Sequence, residues 1–497
     1  MSSRWLVVPL LFLLAGSATA DGPLEFRVKF APSVTAEPFT GRVFVLLTKA
    51  DPRGVPRGLN WFNPEPAFAR DVRAWKPGEE LTFTAGNCIS HPHAMDKLPA
   101  GKYFAVPVMD FDRGAASFTS SPGNGYGKAV PVEIDPKTTG VVHLTVDQTY
   151  TPPRFAETET VKLFERESKL LTAFHGKPTT MRAGVVLPKS WKDEPDRKFP
   201  VVYEIPGFGG SATGAFGAAT RGANNVDGLE VIHVVLDATC RLGHHVFADS
   251  ANNGPVGKAL VEEFIPALEK EFRGEGRPGA RFVTGHSSGG WSSLWLQVTY
   301  PEFFGGVWST APDPVDFRGF QLIDVYARGA NAFRDAKDEK RPLARRGGRP
   351  AIFFQNFSDM EEVMGHGGQL GSFEAVFSPR GPDGKPSKLW DRKTGAIDPE
   401  VAKAWEKYDI RLVLERNWPT LGPKLKGKLH VYMGAEDTFY LDGATKLLKE
   451  SQAKLGSDAV VEIFPGKDHS TLMDQALRTR IKREMKAQYE RLKGESR

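Results

Sequence analysis

The residue types that can do chemistry gather in the second half of the chain. Ser287 stands in Gly285-His286-Ser287-Ser288-Gly289, directly after the apolar run 281–284 and directly before a helical stretch that starts at Trp291. A serine at so sharp a strand-to-helix turn sits on strained backbone at a sheet edge, and small residues two before and two after it keep the neighbouring chain clear. Gly285 and Gly289 supply that room. Ser288 is rejected as the nucleophile, because bulky His286 would then fall where the turn needs a small residue.

A serine hydroxyl is a weak nucleophile at neutral pH until an imidazole takes its proton. His469 fits that duty: it lies in Pro465-Gly466-Lys467-Asp468-His469-Ser470, after the apolar run 460–464 and before a terminal helical stretch. The imidazole in turn needs a carboxylate to fix its tautomer, and the chain order serine, acid, histidine is expected for this arrangement. Asp437 is the best candidate, in Gly434-Ala435-Glu436-Asp437 at the end of the run 430–434. Glu436 is its rival, since a one-residue shift of the loop exchanges the two, and Asp313 and Asp316 come third. Attack on a carbonyl creates an oxyanion, which needs preorganised backbone donors. The Ser288 N–H is one; the other is assigned to Phe208, with Gly209 second, in Pro206-Gly207-Phe208-Gly209-Gly210.

The elements that must position these groups can be read from periodicity. Strand-like runs at 183–187, 200–205, 230–236, 281–284, 306–309, 429–433 and 460–464 alternate with helical spacing at 257–272, 291–300, 442–455 and 471–492. That alternation predicts a mostly parallel sheet covered on both faces, the catalytic domain of an α/β protein over 161–497. Residues 312–428 read as a long irregular insertion joining two adjacent strands, a possible lid. Residues 21–150 differ: short alternating runs at 24–30, 42–47, 103–109 and 141–146, separated by turn residues, predict an all-β sandwich of immunoglobulin-like type. Thr151-Pro152-Pro153 begins a linker over 151–160.

Composition narrows the function classes. The 497 residues are enough for two or three domains, and 40% hydrophobic with 25% charged residues fits globular packing. The formal net charge of +5 is too weak to argue for a nucleic-acid partner. Residues 1–20 have the form of a secretory signal: Arg4, an apolar run 5–15 and the Ala18-Thr19-Ala20 end. The apolar run is too short to span a bilayer, so no membrane span is expected and the chain is placed in the periplasm or outside the cell. The basic stretch 478–493 is read as a terminal helix with one packed face. Two cysteines, Cys88 and Cys240, exclude a disulfide-stapled scaffold. Cys88, His91 and His93 lie close enough in sequence to share a metal ion, but no fourth ligand at zinc-type spacing accompanies them, and they are read as an ordinary loop.

Taken together, these segments resemble the "Putative esterase" family of α/β-hydrolases, the group of esterase D-type and enterochelin-esterase-like proteins. The resemblance covers about residues 161–492. It rests on Ile205-Pro206-Gly207-Phe208-Gly209-Gly210, on Asn252-Asn253-Gly254-Pro255 followed by Glu263-Phe264-Ile265-Pro266, on the segment around Ser287, and on Gly466-Lys467-Asp468-His469. It implies an α/β-hydrolase fold, a small-molecule ester substrate, an acyl-enzyme intermediate and no metal or organic cofactor. The long segment before the acid departs from the simplest members of the family. His244 and His245, in Cys240-Arg241-Leu242-Gly243-His244-His245, are expected near the pocket, either binding substrate or shaping the loop.

Hydrolysis of a carboxylic ester is the leading reading. Acyl transfer to an alcohol or sugar uses the same residues and differs in whether the pocket excludes water. A secreted binding protein on an inactive hydrolase scaffold is the reading from another class, and the intact serine, acid and histidine series speaks against it.

Overall fold

A computed structural model describes residues 23–112, 114–135 and 140–494. The expected signal segment 1–20 lies outside the described residues. The chain divides into two compact units. The first is drawn from residues up to Asn60, from Pro64–Phe111 and from Gly123–Tyr150; the second takes Thr151–Arg497 together with two short excursions, Trp61–Asn63 and Asp112–Pro122.

The first unit is all β. Glu25–Phe30 pairs with Leu81–Phe83 and Val141–Val146 in a three-stranded sheet. A seven-stranded sheet is centred on Phe39–Thr48, flanked by Ala67–Trp75 and Gly101–Asp110, both antiparallel to it. Strand alternation turns Phe26, Val28 and Phe30 inward, where they meet Val43, Val45, Leu47, Phe68, Tyr103 and Met109 in one core. Ala67–Trp75 escaped the sequence reading because Arg70, Asp71 and Arg73 interrupt its apolar pattern. Those charges face other groups: Arg42 makes a bidentate pair with Asp71 at 2.7 and 2.8 Å.

The second unit is built on eight strands: β1 Val161–Glu167, β2 Thr180–Val186, β3 Val201–Ile205, β4 Ile232–Leu236, β5 Arg281–His286, β6 Gly306–Thr310, β7 Leu429–Gly434 and β8 Val460–Phe464. Their order in space is β1-β2-β4-β3-β5-β6-β7-β8. The pairs β1/β2 and β2/β4 are antiparallel, and every later pair is parallel. Central strands are mostly apolar because both faces are covered; every residue of β4 and of β6 is buried.

Covering helices include α1 Ile265–Phe272, α2 Ser288–Thr299, α3 Phe354–Met364, α4 Gln369–Phe377, α5 Ile410–Leu425, α6 Asp442–Lys454 and α7 Gln475–Gly494. The stretch read as one helix over 257–272 is broken into a short α-turn, a π-turn over Leu260–Phe264, and α1. Pro266 explains the break, since it has no N–H to donate to the carbonyl four residues back. Along α7, buried Leu477, Ile481, Met485 and Tyr489 form the packed stripe expected of the basic terminal helix.

The insertion between β6 and β7 joins neighbouring strands as expected, but it is not irregular. It carries a hairpin, Pro342–Arg346 with Arg349–Phe353, then α3, α4 and α5. Its own aromatic core includes Phe377 against Trp405 at 5.1 Å between ring centroids and Phe317 against Trp405 at 5.5 Å. Phe377 also meets Trp291 of α2 at 5.1 Å, which ties the insertion to the helix behind Ser287. Pro419 and Pro423 lie inside α5 and hid its periodicity. No helix among the described residues is long and apolar enough to cross a membrane.

Candidate active site

Ser287 occupies the turn between β5 and α2 with φ 60° and ψ −126°, a conformation that costs a non-glycine residue about 1–3 kcal/mol and persists only where its surroundings hold it. Three backbone hydrogen bonds do so: Ser287 N–H donates to Thr310 O at 3.1 Å, and Ser287 O accepts from Trp291 N at 3.0 Å and Asp313 N at 3.3 Å. The flanking glycines are obligatory here. A Cβ at Gly285 would lie 2.1 Å from Gly289 O, and one at Gly289 would lie 1.8 Å from Ile205 O. Packing this tight draws the end of β3 against the turn, so that Gly207 lies against the Ser287 side chain: a Cβ there would be 3.3 Å from Ser287 Cβ.

Asp437 and His469 come together from the ends of β7 and β8. Asp437 Oδ2 lies 2.7 Å from His469 Nδ1, and Asp437 Oδ1 accepts from the Phe439 and Leu441 amides at 2.9 and 3.3 Å. Asp437 is fully buried, whereas neighbouring Glu436 is exposed, so burial distinguishes the two rivals. Gly434 permits the approach of the two loops, since a Cβ there would meet Lys467 O at 2.3 Å; Glu436 N donates to that same carbonyl at 3.0 Å. With Nδ1–H engaged by Asp437, Nε2 is left as the acceptor. Burial pushes the His469 pKa down, but the hydrogen bond and charge of Asp437, aided by Asp313 and Asp468, outweigh it and hold the ring above the ordinary histidine value.

His286 links the two halves. Its ring lies 4.6 Å from that of His469, which brings the imidazole to the residue beside Ser287. Ser287 Oγ and His469 Nε2 share no hydrogen bond in this structure, a looseness common in such sites before a substrate tightens them. Burial, with the nearby His469, lowers the His286 pKa to about 4, so at neutral pH it is an uncharged neighbour.

The amides assigned to an oxyanion are free to serve. Neither Phe208 N–H nor Ser288 N–H donates a hydrogen bond among the described residues, and Ser288 opens α2, where N–H groups have no partner within the helix. Gly209 follows at φ +81° and is exposed.

His244 and His245 are loop-shaping residues. His244 Nε2 donates to Pro206 O at 3.0 Å while its Nδ1 accepts from Val246 N at 3.1 Å, and His245 Nδ1 accepts from Phe247 N at 3.2 Å. Burial lowers their pKa values to about 4 and about 3. Cys88 and Cys240 are both free thiols. Among the described residues no group of three His, Cys, Asp or Glu side chains is placed to hold a metal ion.

Sequence reasoning missed two residues that support the site and gave a third, Asp313, a different duty. Arg345, on the insertion hairpin, grips the acid turn: Nε donates to Asp437 O at 2.9 Å, and Nη2 donates to Asp442 Oδ1 at 2.9 Å and Ala435 O at 3.3 Å. Asp313, considered above only as a substitute acid, accepts from Ser288 Oγ at 2.5 Å instead. Gln369, at the start of α4, donates from Nε2 to Ser288 Oγ at 3.1 Å and to Asp313 Oδ2 at 3.4 Å. Buried Asp313 has its pKa raised to about 6, with burial as the main cause. Asp316 is engaged elsewhere, by Arg318 and Arg411. No local pattern marks Arg345 or Gln369.

The family model described as "Putative esterase" matches residues 177–471. No curated protein is significantly similar. Solved structures with a similar fold include a ferulic acid esterase (14% identity, 66% of this chain and 98% of that one, TM-score 0.42). Others are an S-formylglutathione hydrolase from Agrobacterium tumefaciens (16%, 67% and 95%, 0.40) and the fluorophosphonate-binding serine hydrolase F of Staphylococcus aureus (13%, 66% and 98%, 0.40). A family match spanning β2 to β8, the glycine-bounded turn and the paired acid and histidine identifies the chain as a member of the Putative esterase family, a carboxylic ester hydrolase of α/β-hydrolase fold.

Proposed function

We propose that this protein cleaves a small-molecule carboxylic ester through an acyl-enzyme intermediate, with Ser287 as nucleophile, His469 as base and Asp437 as the orienting acid. The observation that carries the reading is the buried Asp437–His469 pair at 2.7 Å, whose ring packs on the residue next to a strained serine. Ser287 Oγ attacks the ester carbonyl as its proton passes to His469 Nε2. The resulting imidazolium is stabilised by Asp437, and the oxyanion by the Ser288 and Phe208 N–H groups. His469 then protonates the leaving alkoxide, and a water activated by the same ring releases the acid and restores Ser287. No metal or organic cofactor enters these steps.

A fluorophosphonate probe tests the assignment: it is expected to label the wild-type protein and not Ser287→Ala, with ester hydrolysis falling by on the order of 10⁶-fold in the variant. Labelling that persists in folded Ser287→Ala would move the nucleophile elsewhere.

The setting is part of the same proposal. Residues 1–20 act as an export signal, and the mature protein works in the periplasm or outside the cell. The catalytic domain occupies 161–497 behind a linker at 151–160, and 21–150 form an immunoglobulin-like sandwich; two sheets around one aromatic and β-branched core favour that reading. Amino-terminal sequencing of the exported protein should begin at Asp21.

A further inference from the structure

The hairpin between Phe39–Thr48 and Ala67–Trp75 is closed by 18 residues, Lys49 to Pro66, where antiparallel neighbours need only two to five. Four of the 18 are proline and two are glycine, and the tip carries Asn60-Trp61-Phe62-Asn63. Loops this long without secondary structure are usually functional. Here the tip, Trp61–Asn63, belongs to the second unit, the one that holds Ser287.

Within that unit Trp61 meets three rings. It lies 5.8 Å from Phe208, 6.1 Å from Phe439 and 5.0 Å from Phe357, centroid to centroid. Phe439 in turn lies edge-to-face with His469 at 5.1 Å, and Phe208 follows Gly207, where a Cβ would come within 3.3 Å of the Ser287 side chain. The cluster therefore runs from the oxyanion loop to the imidazole. Phe357 is buried at 3% exposure and anchors it, while Trp61, Phe208 and Phe439 each keep part of their surface open. Aromatic faces left partly open beside a reacting centre offer a flat apolar group large burial at little entropic cost. No charged side chain is among the four.

We infer that Trp61, with Phe208 and Phe439, forms an aromatic wall that binds a planar apolar substituent of the ester, and that Trp61 is a specificity-determining residue supplied from outside the hydrolase sequence. The inference rests on the ester-hydrolase reading above. The planar group can belong to the acyl or to the alcohol part, since the wall reaches both the oxyanion loop and the base that protonates the leaving group.

Three esters separate these cases: ethyl acetate, ethyl 3-phenylpropanoate and benzyl acetate. Wild type is expected to prefer at least one aryl ester over ethyl acetate in kcat/KM. Trp61→Ala should cut that preference about tenfold or more, and Trp61→Phe should restore most of it. Loss confined to ethyl 3-phenylpropanoate places the aryl group on the acyl side, and loss confined to benzyl acetate places it on the alcohol side. Equal losses for all three esters, or no aryl preference in wild type, overturn the wall. If Trp61→Ala does not fold, inhibition of wild-type ethyl acetate hydrolysis carries the test: 3-phenylpropanoate or benzyl alcohol must inhibit about tenfold more strongly than propanoate or ethanol, and equal inhibition overturns the inference. Labelling of Ser287 by the fluorophosphonate keeps the two readings distinguishable. A protein that takes the probe and hydrolyses ethyl acetate without aryl preference defeats only the wall, whereas one that does neither defeats both.

Discussion

The rim of the sheet and the insertion act on the same few residues by different means. The rim places Ser287, Asp437 and His469 in tight turns directly after β5, β7 and β8, where glycine lets backbone touch backbone. The insertion reaches those turns with side chains: Arg345 lies 92 positions from Asp437 in sequence, and Gln369 lies 81 from Ser288. The rim thus fixes which groups meet, and the insertion fixes how firmly they are held. Groups that react should therefore be far more sensitive to substitution than groups that hold.

After Ser287 itself, the largest expected effect is at Asp437. Asp437→Asn keeps the shape but leaves the imidazole in the wrong tautomer, with a loss in kcat of about 10⁴-fold. It should also move the acid limb of the pH profile. In wild type the raised His469 pKa means that the neutral base, and with it kcat/KM, is lost as pH falls through a value above the ordinary 6.5. Without the carboxylate, burial dominates and the limb should shift to lower pH. A kcat/KM profile with an unmoved acid limb would take His469 out of the base role.

The contrast between rim and insertion also explains what could be read from sequence. Ser287, Asp437 and His469 sit directly after short, mostly apolar strands, and the glycines at 285 and 289 mark the turn within five residues, so local pattern is enough. The eight-stranded sheet was largely legible for the same reason. Its first strand, β1, was not, because Lys162, Glu165 and Arg166 on an edge strand break the run. Arg345 and Gln369 carry no local signature, since their partners are backbone atoms and a hydroxyl brought close only by the fold. The insertion's helices were hidden by proline in α5 and by the glycines before α4, Gly365, Gly367 and Gly368.

Next in size is a stability effect at Asp313, which separates a buried acid from an active one. Its pKa of about 6 in the folded protein lies above the unfolded value of 3.8, so the folded state holds the proton more tightly. Raising pH from 3.8 to 6 therefore removes stability, and above 6 the loss is complete, on the order of 3 kcal/mol. Asp313→Asn has no such titration. Relative to wild type it should gain stability as pH rises through that window and then level off, as read by denaturant unfolding at pH 4, 5, 6 and 7. A difference independent of pH would show that Asp313 does not titrate there.

Arg345→Ala should lower kcat by about 10–100-fold with little change in KM, because the acid turn loses three donated hydrogen bonds and the Asp437–His469 pair loosens. Arg345→Lys should recover only part of this, since one ammonium cannot reproduce the guanidinium fork. A fall in kcat equal to that of Asp437→Asn would mean that the grip, rather than the carboxylate, sets the base.

The smallest effect is expected at Gln369, and it tests whether the insertion touches catalysis through the oxyanion donor. Gln369 Nε2 and Asp313 hold the Ser288 hydroxyl from two sides, and the backbone N–H of the same residue is the one proposed above to bind the oxyanion. Removing one neutral hydrogen bond costs about 1 kcal/mol, so Gln369→Ala should reduce kcat by roughly fivefold while leaving the pH profile of His469 in place. An effect on KM alone would make Gln369 a wall of the pocket. A drop of more than about a hundredfold, the loss seen when an oxyanion donor is removed outright, would mean that Ser288 cannot keep its amide in place without the insertion, and the division between groups that react and groups that hold would fail at this position.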